Sequence, residues 1–178
     1  CLDVPELEFD EAFQTEPDEE DVLHHEGLVR VAKTSLSVLR KACLDRSARQ
    51  SALKNDKALE FVASYLESDQ ETTTTTTLKL RRDVTSVLMM LCVESKGASQ
   101  WRFTDLLIRV LRVEKNIDVL ENLIHLVSNI AVVRRVRLKL RDIDAVKIMN
   151  DAISGDGGTC IIDRGIFDAA VKAIEWDP

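Results

Sequence analysis

Asn122, His125 and Asn129 recur at intervals of three and four, so a helix would carry them as one polar stripe. A histidine in such a stripe could move a proton. General acid–base work also needs a carboxylate or a nucleophile within reach, and the sequence places neither beside His125. Two readings stay open for the stripe: a contact ridge lining a groove, or a satisfied polar edge between stacked helices. His24-His25-Glu26 brings metal ligands together, but neighbouring residues on a helix point about 100° apart and H-E-x-x-H is absent. A solvated helix start is the reading. Gly155-Asp156-Gly157-Gly158-Thr159 is glycine-rich, yet no Lys follows it, no strand precedes it, and Asp156 would repel a phosphate. It reads as a loop. No Ser/His/Asp order and no paired carboxylates in an apolar setting occur, so the chain is read as a non-enzyme, with no catalytic residue, no metal site and no cofactor.

The strongest surface signal is basic. Arg134, Arg135, Arg137, Lys139 and Arg141 fall within eight positions. The readings are a solvated charged face, a binding site for an acidic protein, and a nucleic-acid site. The last is disfavoured because no stacking aromatics flank the cluster and the whole chain carries a net charge of −7. Base and aliphatic alternate from Arg135 onward, which is a strand pattern. Read as a helix, the segment puts Arg134, Arg137 and Arg141 on one face, with Val136 and Leu140 on another. A short helix is preferred, because the matching stretch 47–54, SARQSALK, makes a poor strand.

Charge is unevenly distributed. Residues 1–26 contain eleven Asp and Glu and no Lys or Arg, which leaves 20 acids and 24 bases in residues 27–178. This acidic arm contains Pro5 and Pro17, which disfavour helix, and two readings stay open for it: an extended arm that orders only when docked, or a plain disordered tail. Leu7, Phe9 and Phe13 give it apolar anchors. They suggest that the arm docks on the basic ridge of its own chain or of a neighbour, a route to self-association.

These groups need elements to position them, and the elements are legible as a recurrence. Residues 36–66 align with 123–153 at a shift of 87: Leu36 meets Leu123, Leu39 meets Leu126, Leu53 meets Leu140, Phe61 meets Ile148 and Leu66 meets Ile153. That shift is about two periods of a helical repeat of roughly 40–47 residues. Apolar spacing predicts helices over about 27–44, 57–67, 79–95, 102–113, 117–132, 143–153 and 163–175. In 117–132, Ile117, Leu120, Leu123, Ile124, Val127, Ile130 and Ala131 form the stripe. The six threonines 72–77 read as an exposed loop inserted over about 68–78. Aromatics are only 4 %, so aliphatic side chains must fill the core. Cys1, Cys43, Cys92 and Cys160 make no C-x-x-C pair and read as reduced thiols, mostly buried, in a cytoplasmic protein. No apolar run reaches the length of a membrane span. With Cys1 in place of Met, the chain reads as a fragment cut from a longer protein or as its ordered part.

Leu126-Val127-Ser128-Asn129-Ile130-Ala131 resembles the third helix of an armadillo repeat, and the basic segment after it resembles the short first helix of the next unit. Asp142-Ile143-Asp144-Ala145-Val146 is similar to the lead-in to the second helix, with Asp144 where glycine is usual. Residues 42–66 resemble the same unit. The likeness covers about 28–153 and implies an all-α, right-handed superhelical armadillo- or HEAT-like stack over residues 27–178. It implies a scaffold that grips a protein partner. In importin-like members the third-helix Asn clamps a peptide backbone, with a Trp four residues earlier. Here Asn129 matches that Asn and His125 stands in place of the Trp. Val38 with Ala42, and Val87 with Leu91, occupy the other units, so the ladder is missing. The expected function is a non-enzymatic interaction scaffold with an acidic partner. The alternative is a regulator of a small GTPase, and an enzyme with a helical core ranks below both.

Overall fold

In a computed structural model that describes residues 19–67, 75–154 and 162–177, every regular element among those residues is an α-helix. They run α1 (Glu19–Ala42), α2 (Arg46–Ala52), α3 (Ala58–Glu67), α4 (Thr75–Val93) and α5 (Ser95–Gln100). They continue with α6 (Thr104–Val113), α7 (Ile117–Ile130), α8 (Arg134–Asp142), α9 (Ala145–Ser154) and α10 (Arg164–Glu175). Two compact units are distinguished, Cys1–Ala32 and Lys33–Pro178. The described part of the first is residues 19–32 of α1.

Two expectations need correction. The acidic arm was placed at 1–26, but residues 19–26 are helical. The threonine run was placed in a loop, but α4 begins at Thr75 and takes in the last three threonines. Helix propensity for threonine is only modestly poor, and the long apolar helix that follows can carry one such turn. Residues 68–74 lie outside the described residues, as do Leu7, Phe9, Phe13 and the loop 155–159.

Residues 134–141 are helical, within α8. Their alternation misleads because Val136 and Leu140, four apart, are the two that are buried as apolar anchors, while Leu138 stays 45 % exposed. Helix α7 is built as its stripe predicts. Asn116 caps it by accepting from the Val119 amide, and Leu120, Leu123, Ile124, Val127 and Ile130 are buried. Ile117 is the exception, at 44 % exposed. It is the first residue of the helix, at the rim beside the exposed Arg82–Asp118 ion pair.

Helix α7 packs along α4 on one side and along α10 on the other; α3 packs on α4, and α6 on α9. Cross-links fix the direction of the first pair. Arg82 meets Asp118, Asn122 donates to Thr85, and Asn129 donates to Met89, so positions rise together and α4 and α7 run parallel. The core between these helices is aliphatic, with Trp101 the large exception, buried and edge-on to Phe103 at 5.5 Å.

One local geometry occurs three times, where α1 turns into α2, α4 into α5 and α7 into α8. Asp45, Glu94 and Val133 each have an extended backbone. Their amides donate to Ala42, Leu91 and Ile130 respectively, three residues back. Their carbonyls accept from Arg49, Ala98 and Arg137, four residues on. Two positions before each stands a small buried residue: Cys43, Cys92 and Ala131. At the middle corner Gly97 seats α5 against the end of α4, where a Cβ would lie 2.1 Å from the Leu91 carbonyl oxygen.

Candidate functional site: the basic helix and the polar ridge

Three of the five bases of helix α8, Arg135, Arg137 and Arg141, meet backbone carbonyls, and this revises the reading of a free ridge. The last carbonyls of a helix have no intrahelical donor and form its negative end, so they attract cationic N–H groups. Arg137 is only 3 % exposed. It donates from Nη1 to the carbonyls of Ala131 (3.0 Å) and Val132 (3.4 Å), just after α7, and its guanidinium lies 4.7 Å from the centre of the Trp176 ring. Arg141 donates to the carbonyls of Ile174 (2.6 Å) and Trp176 (2.7 Å) at the end of α10. Arg135 reaches back to the carbonyls of Ser99 and Trp101 at the end of α5. Lys139 pairs with Asp105. Arg134 alone of the five is exposed without an ion pair or hydrogen bond among the described residues. The expected common face of Arg134, Arg137 and Arg141 is thus divided: one arginine faces solvent, one is buried, and one clasps α10.

Sequence reasoning missed an equivalent of Arg137. Arg49 donates to the carbonyls of Cys43 (2.9 Å) and Leu44 (3.2 Å) after α1, and also makes a two-nitrogen contact with Glu94. The available signal was an arginine four residues past the corner residue in both places. Partial burial pushes the Glu94 carboxyl up, but hydrogen bonds from Arg49 and Gln50 and the charges of Arg46 and Arg49 outweigh it and hold Glu94 below the usual range. Glu94 thereby ties the first corner to the second.

The polar stripe on α7 is brought together as spaced, but two of its three members are engaged. Asn122 donates to the Thr85 hydroxyl at 3.2 Å, and Asn129 to the Met89 carbonyl at 3.1 Å. Both brace α7 against α4. His125 lies exposed between them, with no hydrogen-bond partner among the described residues. Asn129 therefore uses its amide within the fold, on the helix beside it.

Buried acids are equally structural. Glu114 accepts from the amides of Lys115 and Asn116 and pairs with Arg81, which shapes the turn from α6 to α7. Asp83 pairs with Arg40 at 2.9 Å. Burial pushes the free thiols of Cys43 and Cys92 up, which suppresses the thiolate. Cys1 and Cys160 lie outside the described residues. Among the described residues there is no group of three or more His, Cys, Asp and Glu set to hold a metal, and no helix is long and apolar enough to cross a membrane.

Open cavities lie among the described residues. One of about 560 Å³ lies between α1, α2 and α3, with Leu39, Ala52, Phe61 and Val62 in its wall. Another, about 490 Å³, lies beside α9, with Arg112, Asp144, Lys147 and Asp151. The first also has Ser51, Lys57 and Glu60 in its lining. No known protein-family model matches the chain, and no curated protein matches it.

Proposed function

We propose that the chain is a non-enzymatic scaffold that holds a protein partner on an armadillo-like, right-handed stack of helices. One observation carries the reading: the same corner, with the same backbone bonds, closes α1, α4 and α7. Each corner leads from a long helix through a short one of seven, six or nine residues to a third of ten. A parallel pair of long helices, α4 and α7, is what stacking of such triplets requires. In an array of this kind each unit contacts its neighbours, and the long continuous surface serves recognition. The interior supports the same reading. Among the described residues, the buried Asp83, Glu114 and Arg137 are matched to an arginine, to amides or to carbonyls, which suits a rigid frame. Two free buried thiols suit a reducing compartment such as the cytoplasm.

The test immobilises the full chain and asks two questions. A panel of nucleotide-loaded small GTPases and a cell extract are passed over it, with Leu123→Ala as a packing-deficient control. A partner retained by the wild type and lost by the control supports the scaffold. A GTPase retained in one nucleotide state only would assign the regulatory branch of the same reading. Turnover in a broad hydrolase screen, abolished by a point substitution that leaves the fold intact, would sink it.

A further inference from the structure

The three corners set a common register for the long helices that lead into them, since Glu94 lies 49 residues and Val133 88 residues beyond Asp45. In that register Leu36 of α1 meets Thr85 and Ile124, and Cys43 meets Cys92 and Ala131, all of them buried. The next face round the helix behaves differently. Val84, Val87, Leu88 and Leu91 of α4 are fully buried, and so are Leu123, Leu126, Val127 and Ile130 of α7. Their counterparts in α1 are Ser35, Val38, Leu39 and Ala42. Ser35 and Ala42 are exposed, Val38 is 62 % exposed, and Leu39 is half-buried. Residues three, four and seven apart share one side of a helix, so these four form a single stripe that α1 leaves open. On the other two helices, helices of ten residues pack nearby: α3 on α4, and α6 and α9 on α7. Leu91, from the buried stripe of α4, and Val62 of α3 stand in the wall of the 560 Å³ cavity. Leu39 lines that cavity too, with Phe61, itself 55 % exposed. The open stripe of α1 therefore borders the cavity.

We infer that the stripe Ser35, Val38, Leu39 and Ala42, with the cavity beside it, receives an amphipathic helix of the partner protein. The inference rests on the scaffold reading above and names where on the scaffold the partner binds. The register selects a helix, because the same stripe is buried in the two long helices that have a ten-residue helix packed on them. A helix also satisfies its own backbone groups, whereas a strand laid on α1 would bring donors and acceptors that a helical face cannot meet. Its contacts recur at intervals of three and four, as in other helix-in-groove recognition. Side-chain size selects what it carries. Ser35 and Ala42 are small where α4 has Val84 and Leu91 and α7 has Leu123 and Ile130. The missing volume calls for large apolar side chains, Leu or Phe, one of them entering the cavity against Leu39 and Phe61. Charge selects the flank. Residues 33–42 contain Lys33, Arg40 and Lys41 and no acid. Arg40 is matched by Asp83. Lys41, next to Ala42, is exposed and has no ion pair or hydrogen bond among the described residues, so the partner helix carries an acid on that side.

The probe is a fluorescent peptide of Leu, Ala and Glu, roughly 18 residues long so that it can hold a helix, with leucines at intervals of three and four. It is titrated with the full chain and read by anisotropy. A peptide of identical composition, reordered to put leucines at every second position, is the control. Saturable binding of the first is expected, weakened at least about tenfold by Val38→Glu. Lys41→Glu is expected to weaken it severalfold, an effect that rising salt removes. Val113→Glu, at a comparably exposed aliphatic on α6, should leave it unchanged. Circular dichroism checks that the helices persist in all three variants. Equal binding of the two peptides, full affinity in Val38→Glu, or the same loss in Val113→Glu overturns the inference. A photoreactive benzoylphenylalanine in place of Val38 identifies the occupant. Crosslinking to the probe supports the inference; crosslinking to a second copy or to the chain's own residues, undiminished by excess probe, overturns it. If a partner found by the immobilised chain is retained undiminished by Val38→Glu, this face is wrong while the scaffold stands.

Discussion

Replacing Arg137 by leucine separates a structural brace from a binding ridge. Arg137 is 3 % exposed and its best contact is the 3.0 Å bond to the Ala131 carbonyl. A hydrogen bond to a charged group contributes roughly 1.5–3 kcal/mol. The 3.4 Å contact with Val132 adds little at that length. Stacking on Trp176, itself 54 % exposed, adds about 0.5–1 kcal/mol. Leucine removes the cost of burying a charge, which offsets part of the loss, so the net destabilisation should be about 2–3 kcal/mol. For a chain of this length that corresponds to a fall of about 4–12 °C in Tm. Arg137→Lys keeps the charge but not the planar fork, and should fall between. Arg134→Leu should stay within about 0.5 kcal/mol, as an exposed change without a partner does. Urea unfolding and thermal melts followed by circular dichroism measure all three. If Arg134→Leu and Arg137→Leu cost the same, the assignment of Arg137 to the end of α7 is wrong and the ridge reading returns.

The basic cluster also marks the limit of what the sequence disclosed. Apolar periodicity located α3, α6, α7, α9 and α10 within a few residues, because each buries one stripe against a neighbour. The helical form of 134–141 was readable from Val136 and Leu140. What each arginine does was not. Its partners are backbone carbonyls 5 to 36 residues away, and carbonyls carry no sequence signature. The shift of 87 holds for the starts of α3 and α9, Ala58 and Ala145, but the corners at Asp45 and Val133 lie 88 apart. One residue is absorbed between corner and third helix, so in α1 and α7 the aligned leucines were out by one. Helix α5 escaped notice because it holds six residues and includes a glycine. Asp144, noted as standing in a glycine's place, has a φ of 53°, the left-handed region that glycine favours.

Leu123 is fully buried in α7, so Leu123→Ala should cost about 2–5 kcal/mol in urea unfolding. An unchanged midpoint would contradict its packing between helices. Gly97→Ala should cost about 1–3 kcal/mol, because its Cβ would press on backbone, the Leu91 carbonyl, rather than on a movable side chain. A melt equal to wild type would mean that α5 can slide away from α4. At position 144, Asp→Val should cost about 1–2 kcal/mol and Asp→Gly should be tolerated; the reverse order in thermal melts would rule out backbone strain as the cause. The last expectation concerns pH and the link between the first two corners. Glu94 has its carboxyl held below the ordinary range in the fold, so the folded state favours its ionised form more than the unfolded chain does. A depressed acid stabilises the fold fully above its unfolded pKa, and that contribution is lost as pH falls through the lower, folded value. Glu94→Gln removes the charge that Arg49 and Arg46 meet. Wild type should therefore be the more stable of the two near neutral pH, and the gap should narrow as acid protonates Glu94 and makes it resemble the amide. Urea midpoints of both proteins, measured from about pH 7 to about pH 3, give the comparison directly. A gap that is constant over that range would show that shape and hydrogen bonding at Glu94 matter and its charge does not, and the ionic tie between the corners would have to be abandoned.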